Sequence, residues 1–229
     1  IWPQLNWDST AGTESRSSVL RTPQVGLKWE HTGQQFSYTV NAINRWSPQP
    51  TYTIVPPSTA IARDDYRQWV IGSSFDLALS EWVVRGEATY IPTTYLASQQ
   101  SIMLPIYQNY KQFSWVLGID RNIAEWLLSA QFFETQILGG TVAPLMGNKQ
   151  RFISLLVTRA FFQDRLKMRA FVATDIIQKG RWFNFSLVHE PIQNLEISTG
   201  WDLLRGSALS IFGKLKEESR LNLSIKYSF

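Results

Sequence analysis

Along most of this chain apolar and polar residues change places at every second position, in segments of roughly nine to eleven residues. At the C-terminal end Leu221, Leu223, Ile225, Tyr227 and Phe229 alternate with Arg220, Asn222, Ser224, Lys226 and Ser228. Only an extended strand separates two such sets onto opposite faces. Upstream, Val25, Leu27 and Trp29 alternate with Lys28 and Glu30, and Phe36, Tyr38, Val40 and Ala42 with Ser37, Thr39 and Asn41. Trp69, Ile71, Phe75 and Leu77 oppose Gly72, Ser74 and Asp76; Trp82, Val84, Ala88 and Tyr90 oppose Arg85, Glu87 and Thr89. Phe113 to Asp120, Trp126 to Phe132, Phe183 to Leu187 and Leu195 to Leu203 continue the pattern. In Arg151–Phe162 both faces are largely apolar, and its phase rests on Arg159, expected to face water. In Arg165–Asp175 Phe171 falls on the polar side.

The strands of a soluble β-sandwich alternate too, but average about five to six residues. Segments of about ten residues, tilted near 45°, cross the hydrocarbon layer of a bilayer. The apolar faces begin or end with Trp29, Phe36, Trp82, Tyr90, Tyr110, Phe113, Trp126 and Phe229, where aromatic girdles sit in a transmembrane barrel. The expected fold is all-β, an antiparallel up-and-down transmembrane β-barrel.

Loop lengths suggest its orientation. Short turns fall around Thr32–Gly33, Ala78–Ser80, Asn122–Ala124, Gln163–Asp164 and Pro191–Gln193. Longer connections fall at Ser47–Asp65, Ile91–Asn109, Ile137–Lys149 and Arg205–Ser219, and Ile177–Gly180 is a short member of that side by parity. Outer-membrane barrels place short turns in the periplasm and long loops outside. About eleven strands result within residues 24–229, closing with the strand 219–229, and residues 1–23 read as an extracellular or upstream segment. Single-chain bacterial barrels have an even strand count, so the expectation is the C-terminal part of a larger barrel. The alternative is a complete barrel of about twelve strands, with Ile1–Trp7 as a poor extra strand containing Pro3.

Composition narrows the chemistry. Charged residues make up 17% of the 229, against about 25% in soluble domains. No apolar run approaches the roughly 18 residues of a membrane-crossing helix. The chain has no cysteine, which excludes disulfides and thiolate chemistry. A net charge of +4 without a Lys/Arg cluster gives no reason to expect nucleic acid.

The final strand, with Tyr227 and terminal Phe229 after alternating apolar residues, resembles the C-terminal strand of Gram-negative outer-membrane proteins. The resemblance implies an assembly signal read by the barrel-assembly machinery. Three stretches, WVVRGEATY (Trp82–Tyr90), GIDRNIAEWLLSAQF (Gly118–Phe132) and VTRAFFQDRL (Val157–Leu166), resemble a proteobacterial porin-like family of unknown function. Leu209–Glu218 with the last strand looks like that family's final loop and strand, so the likeness covers most of residues 25–229. It implies barrels longer than this chain, and it carries over no catalytic residue.

Two histidines, His31 and His189, fall at short turns and read as rim residues; His189 and Glu190 are adjacent and so point to opposite faces. No phosphate loop or clustered metal-ligand set is present, and no cofactor or catalytic site is expected. The polar faces carry Lys28, Glu30, Asp76, Arg85, Glu87, Asp120, Arg159, Lys167, Arg169, Glu196, Asp202, Arg220 and Lys226, the expected lining of a pore. Mixed charges there suit cross-strand ion pairs that stiffen the wall, or selection of anionic solutes through a modest basic excess. The loops at Ser47–Asp65, Ile91–Asn109 and Ile137–Lys149 are unusually apolar, suited to packing as a lid or constricting a pore. The expected function is an outer-membrane channel for passive passage of small solutes, meeting lipid, lipopolysaccharide and the assembly machinery. A scaffold barrel holding a partner protein in an envelope complex is the alternative, and a hydrolase ranks last.

Overall fold

The structure, a computed structural model, describes residues 23–55, 60–98 and 106–229. The expected N-terminal segment up to residue 22, with Ile1–Trp7, lies outside these residues, as do Pro56, Pro57 and most of the run Ile102–Ile106.

The alternating segments form strands β1 (Val25–Thr32), β2 (Phe36–Trp46), β5 (Arg67–Leu79), β6 (Trp82–Ala97), β7 (Tyr107–Ile123) and β8 (Trp126–Leu138). They continue as β9 (Lys149–Phe161), β10 (Leu166–Asp175), β11 (Gly180–Ile192), β12 (Leu195–Arg205) and β13 (Arg220–Tyr227). These make one 11-stranded sheet in which sequential strands are neighbours and every pairing is antiparallel. Between β2 and β5 a separate hairpin pairs β3 (Thr51–Val55) with β4 (Ala60–Asp64). β1 and β13 form the two edges and do not pair with each other, so the described sheet is not closed.

The short turns fall at one end of the strands and the long connections at the other. Ser80 and Ala124 take left-handed conformations in two of the short turns, with φ of 54° and 52°, which lets each chain reverse tightly.

Residues paired directly across an antiparallel ladder share a face, and the register carries each face across the whole sheet. On one side lie Leu27, Val40, Ile71, Leu117, Leu128, Leu155, Ala170, Phe185, Trp201 and Leu221. Most of these are exposed, Leu27 by 79% and Leu221 by 74%. Among the described residues no second layer covers this face, and the buried apolar residues of its strands are only Leu96, Tyr110, Ile137 and Ala173.

One irregularity repositions the upper part of β6. Between Ile91 and Thr94 it carries a bulge opposite Gln112 and Tyr110 of β7, at Pro92, which has no N–H to give to the ladder. Below the bulge, odd-numbered residues of β6 share the polar face; above it, Thr94 and Leu96 do. Leu96 therefore meets Tyr110 and Ile137 in a small buried cluster at the long-loop end.

Candidate functional site

The face opposite the apolar one gathers twelve of the thirteen expected charged residues. Lys28 and Glu30 of β1 form an ion pair at 2.6 Å. Arg85 of β6 lies between two carboxylates, 3.1 Å from Asp76 of β5 and 2.9 Å from Asp120 of β7. Four strands on, Arg169 of β10 donates to Asn184 of β11 at 3.1 Å, and Asn184 donates to Asp202 of β12 at 2.9 Å. Asp202 also accepts from Trp182 at 3.1 Å and pairs with Arg220 of β13 at 3.5 Å. Glu87, Lys167, Glu196 and Lys226 share the face, with Glu196 directly opposite Lys226. Charges of opposite sign thus bridge neighbouring strands, and the positive members are largely solvated.

Arg159 corrects the expectation. It is directly opposite Trp126 and Met168, on the apolar face. Its guanidinium lies 4.9 Å from the Trp126 ring centre and 4.5 Å from that of Phe161, and pairs with Glu125 at 3.1 Å. An aromatic face attracts a guanidinium, so this arginine has a partner on the apolar side. The phase of β9 is marked instead by Gln150, Ser154 and Thr158, which face the polar side. Arg121 repeats the arrangement: it is opposite Trp82, stacks at 4.6 Å and pairs with Glu81 at 2.6 Å. A second charged group on the apolar face, not anticipated from the sequence, lies toward the long-loop end, where Glu134 is held by Arg151, by Lys149 at 3.3 Å and by Gln136.

Two connections fold over the polar face at the long-loop end. Between β8 and β9, Gln108 accepts from the Thr141 backbone at 3.1 Å, the Tyr110 hydroxyl donates to the Val142 carbonyl at 2.7 Å, and the Leu145 N–H donates to Ala97 at 2.9 Å. Pro144 is fully buried there. Between β12 and β13, Ser210 caps a short helix α1 (Ile211–Lys214), accepting from the Gly213 N–H at 2.9 Å. A 3₁₀ turn (Lys216–Glu218) follows. Phe212 packs edge-on to Phe152 at 6.0 Å and tilted against Trp182 at 6.4 Å, and Trp182 meets Phe171 at 5.1 Å. That cluster explains why Phe171 breaks the alternation. Ser207 ties the loop to the β10–β11 turn by donating to the Gln178 carbonyl at 2.8 Å. Beneath α1 a cavity of about 300 Å³ is lined by Trp182, Leu204, Phe212 and Leu215, with Asp202 and Arg220.

The histidines both lie on the apolar face at the short-turn end. His31 packs against Tyr38 with ring centres 5.4 Å apart, and His189 lies 3.2 Å from the Arg165 carbonyl. Neither meets a nucleophile or a carboxylate in an acid–base arrangement, and among the described residues no cluster of metal-ligating side chains occurs.

No protein-family model matches the chain, and no curated protein matches it either. The porin-like resemblance rests on the sequence stretches alone.

Proposed function

We propose that this chain forms the wall of a transmembrane β-barrel in the bacterial outer membrane, and that its polar face lines a channel for the passive passage of small solutes. The observation that carries this reading is the exposed apolar face running across all eleven strands, backed by a face laced with ion pairs. A sheet in water buries its apolar face against a second layer. In a bilayer the same face meets hydrocarbon and the other meets a water-filled interior. No helix among the described residues is long and apolar enough to cross a membrane, so in this reading the strands do the crossing. Backbone groups in hydrocarbon must be paired, so the reading requires β1 and β13 to be completed by further strands. The inward-packed β8–β9 and β12–β13 loops narrow the long-loop end, and the exposed Tyr227 and Phe229 suit recognition by the assembly machinery.

Stepwise single-channel conductance in planar bilayers tests the reading. A correctly inserted protein that never conducts would overturn it. That result would favour a scaffold barrel holding a partner protein, a reading supported by the two loops packed across the polar face. Its mark is a companion protein recovered in fixed stoichiometry from native membranes.

A further inference from the structure

The apolar face is bounded. At the short-turn end two equivalent units, Glu81–Trp82 with Arg121 and Glu125–Trp126 with Arg159, each follow a left-handed turn residue and end in a guanidinium stacked on indole. His189 stands on the same face near that end of β11. Toward the other end the same face carries the Glu134–Arg151–Lys149 group on β8 and β9, and Arg181 opposite Arg205 on β11 and β12. Arg67, stacked on Trp46 at 5.6 Å and donating to Asn44 at 2.8 Å, lies on the same face toward the same end of β5 and β2, farther along the strand.

The spacing between the two limits repeats. Trp126 to Glu134, Arg151 to Arg159 and Arg181 to His189 are each eight positions apart, with three apolar-face residues between, whereas Lys111 to Arg121 on β7 is ten. These are Leu128, Ala130 and Phe132, then Ile153, Leu155 and Val157, then Phe183, Phe185 and Leu187. Eight residues of strand span about 26 Å, which at the tilt usual for outer-membrane strands is about 20 Å along the bilayer normal. Typical outer-membrane barrels present an apolar band about 25 Å tall.

Resting on the membrane reading above, we propose that these two rows mark the headgroup boundaries on this wall, and that its β8–β12 side fits a hydrocarbon layer only about 20 Å thick. The occupant of the apolar face is therefore lipid rather than protein. Charge complementarity supports that choice. The middle of the face has no charge on β8, β9 or β11, while its limits carry arginines; Arg121, Arg151 and Arg159 are paired with carboxylates and Arg67 stacks on Trp46, as an interfacial position favours. The proposal makes a sharp distinction among apolar residues. Leu138 and Phe162 are exposed and apolar, yet they lie beyond the two rows and belong outside the hydrocarbon.

The chain has no cysteine, so single nitroxide labels can be placed without removing native thiols. The full chain, inserted into vesicles of phosphatidylethanolamine and phosphatidylglycerol, would be labelled at Ala130→Cys, Leu155→Cys, Leu138→Cys or Phe162→Cys. Collision rates with oxygen and with a nickel chelate are then compared. Oxygen should exceed nickel severalfold at Ala130 and Leu155, with the order reversed at Leu138 and Phe162. Oxygen-dominated labels at Leu138 and Phe162 would mean a taller belt and overturn the proposal while leaving the membrane reading intact. Low access to both reagents at Ala130 and Leu155 would mean protein cover and also overturn it. Nickel access at all four positions would overturn the membrane reading itself. If a labelled variant does not insert, headgroup-attached gadolinium acting on fluorotryptophan at Trp82 and Trp126 of the unsubstituted chain tests the lower boundary by itself. Strong relaxation of both supports the lower boundary, and weak relaxation overturns it.

Discussion

Trp182 on β11 donates its indole N–H to Asp202 on β12 at 3.1 Å, and the same carboxylate takes a second hydrogen bond from Asn184 and an ion pair from Arg220. Four side chains from three neighbouring strands are thereby tied at one point beside the cavity under α1. Asp202→Ala leaves a partly buried indole N–H and an amide without their acceptor. The expected cost is about 2 kcal/mol, and Asp202→Asn, which keeps one acceptor, should lose less. Reversible urea unfolding in vesicles measures both.

Gly86 is set by its cross-strand neighbour. The Phe75 ring, directly opposite it, lies over the glycine, and a Cβ added there would come 2.2 Å from a ring carbon. Gly86→Val should destabilise the sheet by about 2 kcal/mol through overpacking. In a Phe75→Ala background the same substitution should cost much less. Equal costs in the two backgrounds would contradict the packing account.

Arg85 separates Asp76 from Asp120. Arg85→Glu places three carboxylates on adjoining strands of the polar face. If that face lines a pore, the reversal potential under a salt gradient should shift toward cation selectivity, most clearly at low ionic strength, where screening is weakest. Arg121→Gln, on the apolar face, should leave selectivity unchanged.

Gly213 lets the β12–β13 loop lie down. A Cβ there would fall 1.9 Å from the Ser207 carbonyl oxygen, so Gly213→Val should unseat α1 and release Phe212 from Phe152 and Trp182. Single-channel conductance should rise for Gly213→Val and, by less, for Phe212→Ala. Unchanged conductance in both would show that this loop does not restrict passage.

Much of the sheet was legible because a two-residue period fixes strand and face together. The eleven expected strands correspond to those of the sheet, and the short turns fall where expected. The hairpin β3–β4 was not legible, since the prolines at 48, 50, 56 and 57 read as loop. Helix α1, of four residues, is too short to show a helical period. The phase of β9 is not legible from Arg159, because an arginine is as well placed on tryptophan as in water. The charged group around Glu134 is not legible in the alternation, which shows where an apolar face lies but not where it stops.

The bulge at Pro92 gives β6 two independent reading frames. Below it, the strand answers to whatever medium surrounds the sheet; above it, to the packing of Leu96 with Tyr110 and Ile137. Because the extra residue absorbs the change of side, the upper segment can be lengthened or exchanged without rotating a single residue of the lower one. Sequence drift in the long-loop half of β6 is therefore mechanically insulated from the lower half. A deletion of Thr93 alone would remove that insulation, forcing Leu96 out of its cluster or the lower frame out of register.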